Sequence, residues 1–123
     1  MTRRPLEIAP TGALIDRFAE ACVAQDRALV YSKIAVFNKA YWEMKAVDLE
    51  LRERGHDARL ALCKLYDHPN MQVRLQAATL TLAVAPVEAR EVIDAIARSE
   101  RMPQAADARG TSRELATGVF KPD

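Results

Sequence analysis

The chain has 123 residues, half of them apolar and 28% charged, which fits one ordinary globular domain with a real core. Its 18 Lys and Arg against 17 Asp and Glu leave a net charge of +1, which argues against an affinity built on neutralising many phosphates. No apolar run reaches the length of a signal-peptide core or a membrane span, so a cytoplasmic protein with no membrane attachment is expected.

Residues 1–10 carry two prolines and no apolar periodicity, and read as an irregular leader. Thr11 is placed to cap a first helix reaching about Gln25, with Leu14, Ile15, Phe18 and Cys22 on its inner side. A second, longer helix is predicted from about Ala28 to Arg54, stopped by Gly55 as a C′ glycine. Its main apolar stripe is Val30, Ile34, Phe37, Tyr41, Met44 and Leu51, and its solvated side Ser32, Lys39, Glu43, Ala46 and Glu50. A third group, Tyr31, Asn38, Trp42, Lys45 and Leu49, lies about 100° around from the main stripe.

Asp57 opens a third helix through about Asp67, carrying Leu60, Leu62, Cys63 and Leu65, and Pro69 breaks it at His68. Asn70 can cap a fourth helix through about Val84. Pro86 suits the first turn of a fifth, about 86–98, with Val92, Ile93 and Ile96. Pro103 does the same for a sixth that ends at Gly118, leaving 119–123 as a tail. Cys22 and Cys63 both sit in apolar helical patterns and read as reduced, buried thiols.

The fourth helix decides the architecture. Val73, Ala77, Leu80 and Val84 share one face, while Met71, Leu75, Ala78 and Leu82 share another about 180° away. A helix apolar on two opposite faces needs neighbours on both sides, with its polar residues confined to the edges: Gln72, Gln76 and Thr79 on one, Arg74 and Thr81 on the other. A shift of 31 residues also places Leu62 on Ile93, Leu65 on Ile96, Ala77 on Ala108 and Val84 on Leu115, a weak apolar repeat.

Residues 62–82 resemble a HEAT repeat, through Pro69, Asn70, Val73, Arg74, Ala77 and Ala78. His68 stands where that family often has aspartate, and Met71 where it often has a second proline. Residues from about 14 to 118 further resemble a small uncharacterised bacterial family with a HEAT/armadillo-like fold. The residues concerned are Phe37-Asn38-Lys39-Ala40-Tyr41, Leu51-Arg52-Glu53-Arg54-Gly55, the hairpin just described, and Gln104-Ala105-Ala106-Asp107-Ala108-Arg109. The resemblance implies a single all-α domain over 11–118, a HEAT/armadillo-like right-handed α-α superhelix of about six helices in three hairpins. It carries over no activity, although some related short proteins look like immunity factors for secreted toxins.

No catalytic, metal or cofactor site is expected. His56 and His68 fall in different turns with no cysteine or carboxylate at ligand spacing, and His68 is better used on turn backbone groups. Ser32, Ser99 and Ser112 lack a nucleophile context, and the four glycines stand too far apart to cradle phosphate. Arg74 reads either as a ligand-facing guanidinium or, preferably, as a bond across neighbouring turns. Trp42 reads either as core beneath a neighbouring helix or as an interaction anchor among polar groups. In a stack, second helices line one common surface, bringing Asn38, Trp42 and Lys45 alongside Gln76, Thr79, Asp107 and Thr111.

The expectation is a non-catalytic protein-protein interaction module, adaptor-like or a toxin-immunity-like inhibitor, with an unknown protein partner. A nucleic-acid-binding helical-repeat protein is the rival, although the groove offers only Lys45 and Arg109 as cations. An enzyme without a recognisable motif is the third reading. The exposed ends of so short a stack also allow a homodimer.

Overall fold

Helix termini follow local chemistry at most of the expected boundaries. The computed structural model describes residues 4–123, and among these it holds seven α-helices, one 3-10 segment and no strand. The chain is all-α. The helices are α1 Arg4–Ile8, α2 Thr11–Val30, α3 Ile34–Arg54, α4 His56–Leu60, α5 Met71–Thr79, α6 Pro86–Arg98 and α7 Gln104–Thr117, with the 3-10 segment at Ala61–Asp67. They gather into two units, one ending at Leu62 and one spanning Cys63–Asp123.

The first unit is a hairpin of α2 and α3, with α1 and α4 against α3. Helix α2 buries Leu14, Ile15, Phe18, Ala21, Cys22, Gln25 and Ala28, the apolar positions recurring three and four apart. Helix α3 buries Ala40, Met44, Val47 and Leu51. The fully buried Gln25 places its amide against the other helix, Nε2 donating to Met44 Sδ at 3.3 Å.

Several expectations for this unit need correction. Residues 4–8 form a helix where an irregular leader is expected, and residues 1–3 lie outside the described residues. Pro10, not Thr11, occupies the cap position of α2, and Thr11 opens the helix. Helix α2 runs on to Val30, and the break falls at 31–33. There Ser32 N–H donates to Leu29 O (3.3 Å) and Lys33 N–H to Ala28 O (2.9 Å), closing the helix with Ser32 at φ 54°. This is the pairing of a left-handed helix stop, made without the usual glycine. The expected stripe on α3 is also displaced at its start: Met44 and Leu51 are buried, but Val30 is 69% and Ile34 75% exposed. Glu50, expected in solvent, is buried with Arg54 Nε donating to its Oε2 at 3.0 Å.

Gly55 does end α3. Its φ of 107° is a conformation L side chains avoid, and it lets α4 start with no other intervening residue. The predicted third helix is then only one α turn before the chain tightens to 3-10 geometry. With three residues per turn, Leu62 and Leu65 stand on one edge, and both are buried.

In the second unit Asn70 caps α5 as expected, its Oδ1 accepting from Gln72 N–H (2.9 Å) and Val73 N–H (3.2 Å). Asn70→Ala should cost about 1 kcal/mol in an equilibrium urea melt. Helix α5 stops at Thr79, short of the expected Val84. Thr79 and Thr81 turn their hydroxyls back onto Leu75 O and Ala77 O, both at 2.8 Å, and Thr81 N–H moves to Ala78 O, a tighter turn. Pro86 at the start of α6 keeps Ala85 out of the helical region, at φ −142° and ψ 64°.

The two-faced pattern of α5 holds: Leu75 and Ala78 are buried on one side, Val73 and Ala77 on the other. Leu75 and Ala78 join Leu82, Ala89, Ile93, Ile96 and Ala108 in one core, edged by Tyr66, Met71, Val92, Leu115 and Phe120. Two of the polar edge residues are nevertheless buried, Gln72 accepting at Oε1 from Gln104 Nε2 (2.9 Å) and Thr81 bonded as above. Gly118 stops α7 at φ 79°. No helix among the described residues is long and apolar enough to cross a membrane.

Candidate binding cleft and aromatic helix face

Helices α5 and α7 of the second unit are separated by a cleft of about 370 Å³, lined by Leu75, Gln76, Thr79, Ala106, Asp107, Gly110, Thr111 and Glu114. On α7, Asp107, Thr111 and Glu114 recur four and three residues apart and share a face. Between them Ala106 and Gly110 leave room: the nearest side-chain atom to where a Cβ on Gly110 would stand is Arg113 Nη2, at 3.9 Å.

The wall chemistry is one-sided. Thr79 Oγ1 donates to Leu75 O (2.8 Å) and Thr111 Oγ1 to Asp107 O (3.1 Å), so both hydroxyl protons are spent on the helix backbone and acceptor capacity remains. Asp107 and Glu114 add two carboxylates, and Gln76 supplies an amide. Partial burial raises the Asp107 carboxyl above its ordinary value of 3.8. No cation is among the residues that line the cleft, and the Arg113 guanidinium stands at its Gly110 edge. Arg109, expected as a groove cation, is turned away: Nε and Nη2 donate to Ala97 O (2.8 Å) and Ser99 O (3.2 Å) at the end of α6.

Four of the seven residues singled out from sequence, Gln76, Thr79, Asp107 and Thr111, thus share one cleft. The other three lie on α3 of the first unit. Asn38 is exposed, and Trp42, for which a core position is one reading, is 66% exposed. Lys45 is half-buried, Nζ 3.3 Å from Asp48 Oδ2. The indole is set edge-on to Tyr41 at 5.3 Å, and Tyr41 stacks on Phe37 at 6.5 Å. Glu114 in the cleft and Ile34 on the α3 face are the residues that sequence reasoning missed. The i, i+7 spacing of Asp107 and Glu114 around Gly110 was the available signal for the first.

Elsewhere the polar chemistry is structural. Arg74 Nε donates to His68 O (2.7 Å), and His68 Nδ1 accepts from Asn70 N–H (3.0 Å), so both are spent on the turn before α5. Burial pushes the Cys22 thiol far above its ordinary range, away from thiolate chemistry. Cys63 is half-buried rather than buried, and both cysteines are free. Burial and a hydrogen bond with Cys63 push the Tyr66 hydroxyl up, and it is also bonded to Thr81. Among the described residues no three His, Cys, Asp or Glu side chains gather as a metal site would need.

Residues 12–116 match the family DUF2019, described as a domain of unknown function. The chain belongs to that family. It is also similar to the protein RPA1889 from Rhodopseudomonas palustris CGA009, whose crystal structure superposes with a TM-score of 0.93 at 47% sequence identity. That likeness covers 96% of this DUF2019 chain and 98% of the other. None of the curated proteins matches.

Proposed function

We propose that the protein is a non-catalytic protein-interaction module on a HEAT/armadillo-like helical scaffold, and that its α5–α7 cleft receives a Lys- or Arg-bearing segment of a protein partner. The carrying observation is the cleft itself, where acceptors and two carboxylates converge with no cation among them. A guanidinium or ammonium satisfies acceptors of this kind, whereas a phosphate backbone is repelled by the two carboxylates. Supporting the scaffold are the Asn70 cap, the two-sided burial of α5 and the Val73-Arg74-x-x-Ala77-Ala78 pattern. An adaptor or an inhibitor of a basic protein suits such a surface equally.

The test is an NMR titration of the full chain with a short arginine-rich peptide and with its glutamate-rich counterpart. Shifts should concentrate at Gln76, Asp107, Thr111 and Glu114 with the first peptide only. The double variant Asp107→Asn/Glu114→Gln should weaken binding about tenfold, as expected for losing two part-exposed charge pairs. Equal affinity for both peptides, or an unchanged double variant, would sink the reading.

The raised Asp107 pKa adds a pH signature. The folded chain holds this proton more tightly than the unfolded chain, so the contribution to stability is full at acid pH and is lost as pH rises through the folded value. Asp107→Asn should therefore melt no lower than wild type at neutral pH, and any gain should vanish as pH falls below the carboxylate range. Peptide binding has the opposite slope, because it needs the ionised carboxylate, and should fade from a higher pH than an ordinary aspartate would allow. Glu114 also lines the cleft, and the Arg113 guanidinium stands at its Gly110 edge.

A further inference from the structure

The α2–α3 hairpin continues past its own core. Toward the turn, Ala28 is the last buried residue of α2 and Ala40 the first of α3. Beyond that layer, residues 34–39 extend α3 by about 9 Å at 1.5 Å per residue. Residues 29–36 are all exposed, and five of them are large apolar groups: Leu29, Val30, Tyr31, Ile34 and Val36. A turn between helices that meets only water is ordinarily polar, so this tip suits a medium that accepts apolar side chains.

Charge decides which medium. From Arg27 to Trp42 the chain carries Arg27, Lys33 and Lys39 and no carboxylate, while all other residues hold 15 basic groups against 17 acidic. The tip is thus a cationic projection from a chain that is otherwise slightly acidic. A second copy of the tip would set three cations against three, and is repelled. Nucleic acid would use the cations, but its phosphates offer nothing to five apolar side chains. An anionic lipid surface takes both, the headgroups meeting the cations and the acyl boundary receiving the apolar groups.

We propose that the tip of the α2–α3 hairpin inserts into the headgroup region of an anionic membrane. The length of the overhang falls within the roughly 5–10 Å to which apolar groups enter that boundary. At that depth Arg27 and Lys39, set back from the tip along their helices, stand level with the lipid phosphates. Lys33 lies in the turn itself, and its long stem carries the ammonium back to the phosphates while the methylenes stay in the apolar layer. Tyr31 adds a ring with a polar hydroxyl, a side chain suited to the same boundary. The expected absence of membrane attachment follows from the lack of a long apolar run, and surface insertion requires neither such a run nor a spanning helix.

The tip belongs to the first unit and the cleft to the second, so either proposal can fail alone. The test is co-sedimentation of the full chain with vesicles of phosphatidylcholine mixed with phosphatidylserine, and with phosphatidylcholine alone. The anionic vesicles should bind about a hundredfold more tightly, a gap that narrows as salt rises. Lys33→Glu reverses one charge and should weaken binding about thirtyfold. Val30→Ser/Ile34→Ser removes apolar area without touching charge and should weaken it about tenfold. These positions are all exposed, and circular dichroism checks that the variants fold. Tyr31→Trp in a Trp42→Phe background should shift its emission to the blue with the anionic vesicles only. No co-sedimentation, equal binding to the neutral vesicles, or serine variants that bind like wild type would each overturn the proposal. So would tighter binding to a short DNA duplex than to the vesicles, since the cations would then serve phosphates alone.

Discussion

Ile93→Ala is expected to destabilise the protein by about 4 kcal/mol, within the range of about 2–5 kcal/mol seen when a buried isoleucine is truncated. Ile93 is 0% exposed and lies at the middle of the second unit's core. The position in that range follows from its neighbours. Three of the other six buried members of that core are Ala78, Ala89 and Ala108, and an alanine has no rotamer with which to fill a vacated space. The cavity term therefore adds to the lost transfer free energy rather than relaxing away. Leu75 belongs to the same core and also lines the cleft, so the variant should loosen the cleft as well. Urea denaturation gives the stability change, and peptide titration of the folded fraction gives the second effect. A loss below about 1.5 kcal/mol would mean that the core closes over the gap.

Much of this architecture is legible in the sequence, and the legible parts share a cause. Asn70, Pro86, Gly55 and Gly118 act on the backbone within one or two residues of themselves, so the caps and stops they dictate need no tertiary knowledge. The double-faced pattern of α5 is equally local, since two apolar faces on one helix require burial twice whatever the neighbours are. The two leucines before Pro69 predicted burial but not the helix type, because positions three apart can share an edge in either geometry.

What escaped is what a second segment decides. The stop at Ser32 has no glycine to announce it, and a serine at φ 54°, closed by local bonds onto the last turn of α2, is too uncommon a choice to read from sequence. Glu50 looks like any solvated helical carboxylate until Arg54 is found covering it. The shortening of α5 depends on Thr81, whose hydroxyl also meets Tyr66 from the preceding segment. The cleft was legible on both helices because Gln76 and Thr79, like Asp107 and Thr111, fall three or four residues apart. Its sign was not legible, because the turning of Arg109 to the end of α6 is a tertiary event that removes that cation from the cleft wall.

Arg54→Ala should cost about 2–4 kcal/mol, with Arg54→Lys in between. One guanidinium does four jobs. Nε donates to Glu50 Oε2 (3.0 Å), Nη1 to Thr11 Oγ1 (3.3 Å), and Nη2 to Leu6 O (2.8 Å) and Glu7 O (3.2 Å). It thereby ties the last turns of α1 and α3 to the first residue of α2. The two carbonyls close α1, where orphan acceptors and the negative end of the helix favour a cation. The Glu50 side chain is only 8% exposed, so the guanidinium it loses is a charge-assisted partner of a desolvated carboxylate, which is the larger part of the cost. Arg54 itself is 21% exposed, which keeps the figure below that of a fully buried pair. Lysine supplies charge but one nitrogen, and cannot span four acceptors in a fork. Chemical denaturation should rank wild type above Lys above Ala. A lysine variant as stable as wild type would show that charge alone matters, and would remove the fork from the account of how α1 is held.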